Sequence, residues 1–266
     1  MDPKTTITHE VASSSAKKRY KLISKTWSRK YHLIADDGDS SKGSHHGKTP
    51  LFVVDTSTFK PRKPDVTLHI GSDTSSASPA VACCYIPSMG RTFRVGLGNI
   101  VDAPGVMRWE EMTQLSRMSM RHFGWSMDLP DGERPELMWK RTTRVAVDGK
   151  TASSLSSRNW KLVRLNSAEE AEEIVENAVD GDSIDDEIED DKRRAAAQLP
   201  PRPKGDVLAV FTSEMGLTHF CGTLQINVEW GPDFDYMVLI TLTAVYERLM
   251  RARQSSGGGG GGGGGG

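Results

Sequence analysis

DFDYMVLITLTAVYERLMRAR, residues 233–253, is the stretch whose reading decides the fold. It contains neither Gly nor Pro, and its length favours a helix over a strand. Its β-branched residues, Val238, Ile240, Thr241, Thr243 and Val245, pull toward a strand. Asp233 suits the N-cap, Asp235 the first turn, and Arg248, Arg251 and Arg253 the opposite pole of the helix dipole. The first half is apolar on nearly every side, so a helix here is either buried all round or sits in a membrane. The apolar run from Tyr236 to Tyr246 is interrupted by Thr241 and Thr243 and followed by Glu247 and Arg248. That falls short of the roughly 20 apolar residues a bilayer span needs, so the expectation is a buried core helix.

A helix of this kind requires a closed apolar surround, and the preceding chain reads as strands. Residues 17–34 (KKRYKLISKTWSRKYHLI) mix β-branched, aromatic and basic side chains as one or two strands would. Short runs bounded by Pro, Gly, Ser or Asp follow at 51–58, 65–71, 80–86 and 91–97, a spacing that suggests an all-β sandwich or barrel. Residues 106–120 read as a strand with an irregular turn. Residues 135–147 read as strand, bend and strand, and 159–165 as a further strand. The runs 206–213 and 221–230 resemble a hairpin, with Leu224, Ile226 and Val228 alternating against Gln225, Asn227 and Glu229 as in a half-buried strand.

The polar flanks and insertion divide the chain. Residues 1–16 read as a disordered tail, 17–253 as one domain, and 254–266, which ends in ten glycines, as a flexible tail. An insertion at about 167–204 has the composition of a disordered segment. Between Glu169 and Asp191 it holds 13 acidic residues and no Lys or Arg, so the remainder of the chain carries +12 although the whole carries −1. A basic body favours phosphate or anionic lipid. It is also what an ordinary solvated surface looks like.

Three segments stand in an order that resembles a known family: LMWKRTTRVAVDGKTASSLSSRNWKLVRL, then GDVLAVFTSEMGLTHFCGTLQI after the insertion, then the 233–253 segment. Together with PLFVVDTSTFKPRKPDVTLHIGSD they resemble the fungal branch of the tubby C-terminal-like superfamily, which includes LURP-one-related proteins and phospholipid scramblases. The resemblance covers roughly residues 18–253 and contains no catalytic motif. It implies a mainly β fold, a closed antiparallel barrel of about twelve strands around a central apolar C-terminal helix. It also implies binding of phosphoinositide head groups through basic residues. The nearest match here is Lys17, Lys18, Arg19, Lys21 and Lys25, with Tyr20 and Leu22 pointing inward. The same residues would suit a charged outer strand that discourages edge pairing.

Other chemistry finds no support in the residues. Gly43-Ser-His-His-Gly47-Lys48-Thr49 has too few residues between its glycines for a phosphate loop, and a strand rather than a helix follows. Gly96-Leu-Gly98 lacks a third glycine. His45 and His46 lie in a loop where they suit weak metal binding or, more simply, a solvated polar loop; His9 is in the tail, and His32, His69, His122 and His219 show no paired ligand spacing. Glu110 and Glu111 read as surface, and the acidic segment lacks calcium-loop spacing. Cys83, Cys84 and Cys221 read as small hydrophobes in strands, and an odd, low cysteine count suits a reducing compartment. The six tryptophans read as core or rim packing rather than as a stacking platform for nucleic acid.

The expectation is therefore a cytoplasmic, non-enzymatic monomer, at membranes or in the nucleus, with no signal peptide, transmembrane helix, cofactor or metal. Its partner would be anionic phospholipid. The alternative is a protein-interaction or structural module that recruits unknown protein partners through the acidic insertion and tails; nucleic acid is not expected.

Overall fold

Pro232 opens the C-terminal helix, α1, which runs Pro232–Ser256. Proline's fixed φ suits a first helical position, where its missing N–H costs nothing. Gly231 precedes it at φ 91°, a left-handed conformation that turns the chain into the helix. Asp233 therefore lies inside the first turn with Asp235 and is not the N-cap its position suggested. The structure, a computed structural model, describes residues 17–24, 30–36, 49–57, 62–73, 78–115, 120–142, 145–151, 158–165, 207–214 and 220–256.

Every residue from Met237 to Glu247 is buried. A closed barrel of twelve antiparallel strands surrounds them. The strands are β1 (Lys18–Ser24), β2 (Lys30–Ala35), β3 (Phe52–Thr56), β4 (Val66–Ile70), β5 (Ala80–Tyr85) and β6 (Thr92–Leu97). They continue as β7 (Arg108–Gln114), β8 (His122–Ser126), β9 (Glu136–Arg141), β10 (Trp160–Arg164), β11 (Val207–Ser213) and β12 (Phe220–Ile226). Each strand pairs with its neighbours in sequence, and β1 closes the ring on β12, with Lys18 opposite Ile226 and Tyr20 opposite Leu224. Closure leaves no sheet edge. Eight strands enclose roughly the volume that side chains fill, so twelve leave room for a helix about 10 Å across.

The period of two sorts the strand residues. Tyr20 and Leu22, Tyr31 and Leu33, Phe93 and Val95, Phe123 and Trp125, and Leu137 and Trp139 point inward and join Phe234, Val238, Leu242 and Val245 of α1 in one core. The hydroxyls of the helix are satisfied locally. Thr241 Oγ1 donates to Met237 O at 2.6 Å and accepts from Trp139 Nε1 at 3.0 Å, and Thr243 Oγ1 donates to Leu239 O at 2.7 Å. The threonines that weakened the helix reading are thus compatible with full burial.

Register shifts mark bulges at β12 against β1, β11 against β10 and β5 against β4. Bulges add the twist that closing a sheet demands. At the first, Gly222 sits at φ 153°, where a Cβ would lie 2.4 Å from Thr212 O.

Three local expectations are corrected. Strand β8 formed at His122–Ser126, where no strand was read. Residues 145–147 are not a strand. They belong to a strap, 145–150, that crosses the outside of β11 and β12: Val147 N donates to Thr212 Oγ1 at 2.9 Å and Asp148 N to Gln225 Oε1 at 3.1 Å. Consequently Gln225, read as solvent-facing, is buried, as is Thr223 on the same face of β12. All three cysteines are free thiols in strands, as read.

Candidate functional site

Because strands alternate in direction, the barrel has two rims. The entry rim, where α1 begins, gathers the start of β1, the end of β2, the start of β3 and so on around the ring. The exit rim, where α1 ends, gathers their opposite ends.

The sequence-derived cations lie along β1. Lys17, Lys18 and Arg19 sit at the entry rim and line an open cleft of about 500 Å³ with Tyr20, Asp36 and Leu51. Lys21 lies farther along the strand, and Lys25 lies outside the described residues. Tyr20 and Leu22 point inward, as expected.

Each described cation of the set faces a carboxylate. Lys18 Nζ donates to Asp235 Oδ2 at 2.7 Å, and Lys21 Nζ lies 3.2 Å from Asp36 Oδ1. Both carboxylates are largely shielded, with side-chain exposures of 10% and 9%. Burial pushes the Asp235 carboxyl upward and the Lys18 ammonium opposes it. Removing a lysine from such a pair would strand a shielded charge, so Lys18 and Lys21 are committed to the fold. Lys17 and Arg19 share Asp148 of the strap, at 2.7 and 3.6 Å. Lys17 beside it holds the Asp148 carboxyl below the usual carboxylate range. Exposed pairs of this type contribute about 0–1 kcal/mol, and they exchange partners readily.

Beyond β1, the entry rim is acidic. Its described connections carry exposed Asp73, Asp102, Asp128, Asp131, Glu133 and Glu229. Its other cations are paired: Arg108 with Asp233, Arg164 with Glu133 at 2.9 Å, and Arg134 with both Glu110 and Asp128. Glu110, read as surface, is a largely shielded partner of Arg134, with 15% of its side chain exposed.

The exit rim has the opposite sign. Between β3 and β4 stand exposed Arg62 and Lys63, and Arg91 and Arg121 open β6 and β8. Across β8, β9 and β10 the outward row His122–Lys140–Lys161 is set by register, with Arg141 at the end of β9 bonded through its N–H to Arg121 O at 3.0 Å. Arg253 of α1 adds to this crown, since its charge and that of Arg121 both press down the pKa of Arg141, after burial. The described acids here are held. Asp65 accepts from Arg251 at 2.7 Å, Glu214 pairs with Lys150, and Glu247 accepts from Tyr31. Asp55 lies opposite Lys30 in the register.

His122 reports the local field. Burial, then Lys140, then Arg121 lower its pKa to about 4, and its Nδ1 is buried with no hydrogen-bond partner. Sequence reasoning missed this crown because its members are scattered from Arg62 to Arg253 and only strand register brings them together. Among the described residues no group of His, Cys, Asp or Glu could hold a metal ion, and no helix is long and apolar enough to cross a membrane.

No family model, no curated protein and no solved structure matches the chain.

Proposed function

We propose that the protein is a non-enzymatic, tubby-like barrel domain that docks onto anionic phospholipid head groups, and that it does so through the exit rim. The observation that carries this reading is the segregation of charge: cations collect at one end of the barrel, and beyond β1 carboxylates collect at the other. An anionic surface attracts juxtaposed Lys and Arg with about 1 kcal/mol each, and it repels the entry rim. The protein would therefore approach a negatively charged leaflet in one orientation. The cytoplasmic leaflet is the anionic one, which fits the cytoplasmic expectation.

Two features support the rest of the reading. The barrel-and-helix architecture is the one the tubby-like resemblance implies. The helix also occupies the volume in which a wide barrel would hold a substrate, which favours a surface-binding role over catalysis. The β1 cations are not part of this contact: Lys17, Lys18 and Arg19 sit at the entry rim, where each faces a carboxylate.

The test is co-sedimentation of the full chain with phosphatidylcholine vesicles, with and without phosphatidylserine, across a salt series. Binding should require the anionic lipid and weaken as salt rises. Lys140→Glu with Arg141→Glu should lower it by about tenfold or more, and Lys17→Glu should change it far less. Equal binding to neutral vesicles, or none to either, would remove the proposal.

A second reading has one specific observation behind it. Leu51, Ile70, Val101 and Val106 are exposed on the acidic entry rim, a combination that suits a basic protein partner. The strands that the acidic insertion joins, β10 and β11, meet at this same rim; the insertion itself lies outside the described residues. If this reading is right, Val101→Asp with Val106→Asp removes the partner and leaves vesicle binding intact.

A further inference from the structure

We propose that the turn Pro87–Gly90, tipped by Met89, is an apolar anchor that enters the bilayer when the exit rim docks. This rests on the lipid-docking reading above and adds to it a point of insertion and a depth.

Met89 is 91% exposed, more than any other large hydrophobic residue described. It sits in the connection from β5 to β6, on the cationic rim. The turn that presents it is braced from inside the barrel. Arg248 of α1 donates through Nη1 to Pro87 O at 2.7 Å and through Nη2 to Gly90 O at 3.5 Å. Gly90 adopts φ 100°, a left-handed conformation that closes the turn. A guanidinium spent on two carbonyls of one turn fixes the backbone while the methionine side chain reaches into solvent. Methionine is unbranched and adaptable, which suits it to disordered acyl chains.

The surroundings decide which surface this tip would meet. Arg62 and Lys63 flank it on the preceding connection and Arg91 follows it in sequence, all exposed. Long cationic side chains beside an apolar tip can reach head groups while the tip lies several ångströms deeper, at the boundary with the acyl chains. The other exposed hydrophobics, Leu51, Ile70, Val101 and Val106, stand among Asp73, Asp102 and Asp128 on the entry rim, which an anionic bilayer repels.

The experiment uses the full chain with two variants and the same vesicles. With Met89→Trp, adding phosphatidylserine-containing vesicles should produce a blue shift and a quenching by bromine-labelled acyl chains that the wild type lacks. Met89→Glu should weaken vesicle partition by about tenfold, the scale of burying one methionine side chain, with the melting temperature unchanged. Wild-type binding with no added quenching in Met89→Trp, or with Met89→Glu bound as tightly, overturns this proposal alone. Absence of wild-type binding to anionic vesicles overturns it together with the docking reading.

Discussion

His122 faces outward from β8 with Lys140 across the strand pair and Arg121 beside it, and it is held neutral by burial and by both charges. Its pKa of about 4 lies below the usual imidazole value near 6.5, so the unfolded chain takes up this proton first as pH falls. The contribution to stability is complete above about pH 6.5 and is lost progressively down to about pH 4, by on the order of 1 kcal/mol because solvent reaches part of the ring. Urea unfolding across that range should show the loss, and His122→Gln should flatten the difference relative to wild type. Equal slopes would mean the imidazole is not desolvated. Residue-scale chemistry was only partly legible in the sequence. Tyr20 and Leu22 could be placed inward from alternation alone. The partners of Lys18, Lys21 and Arg19 could not, because Asp235, Asp36 and Asp148 come from the helix, the residue just after β2 and a strap that meet only in the closed ring.

Among the elements, α1 was legible because an all-round apolar helix admits few environments, and its apolar run, Tyr236 to Tyr246, is too short for a bilayer span. Its β-branched and threonine content was the opposing signal, which full burial and back-bonding of Thr241 and Thr243 overrode. Strand β8, HFGWS, escaped because Gly124 breaks a run of only five residues. The strap escaped because VAV at 145–147 has strand propensity, yet its N–H groups found side-chain acceptors in Thr212 and Gln225 rather than a ladder. The seam between β11, β12 and β1 carries the tightest backbone constraint. A Cβ at Gly222 would lie 2.4 Å from Thr212 O and 2.8 Å from Ser213 Cα at a φ that disfavours L side chains. Gly222→Ala should therefore cost more than about 2 kcal/mol in chemical denaturation. A change under a few tenths would show that the bulge relaxes freely.

For the whole molecule, the +12 body was visible in composition, but its polarity along the barrel axis was not. That polarity follows from strand direction: alternate connections fall on opposite rims, so residues distant in sequence such as Arg62, Arg121 and Arg253 share one end. The docking and anchoring proposals both depend on this axis, and the axis depends on α1 running through the ring, with its start among carboxylates and its end among guanidinium groups. Threading also couples the helix to the barrel energetically, since neither inner surface has another partner. Native-state hydrogen exchange of the amides from Met237 to Val245 tests this most directly. They should exchange only through global unfolding, with the same denaturant dependence as the inward-facing strands. Exchange through a separate, lower-energy opening while the strands stay protected would contradict the threaded barrel and the two-rim account built on it.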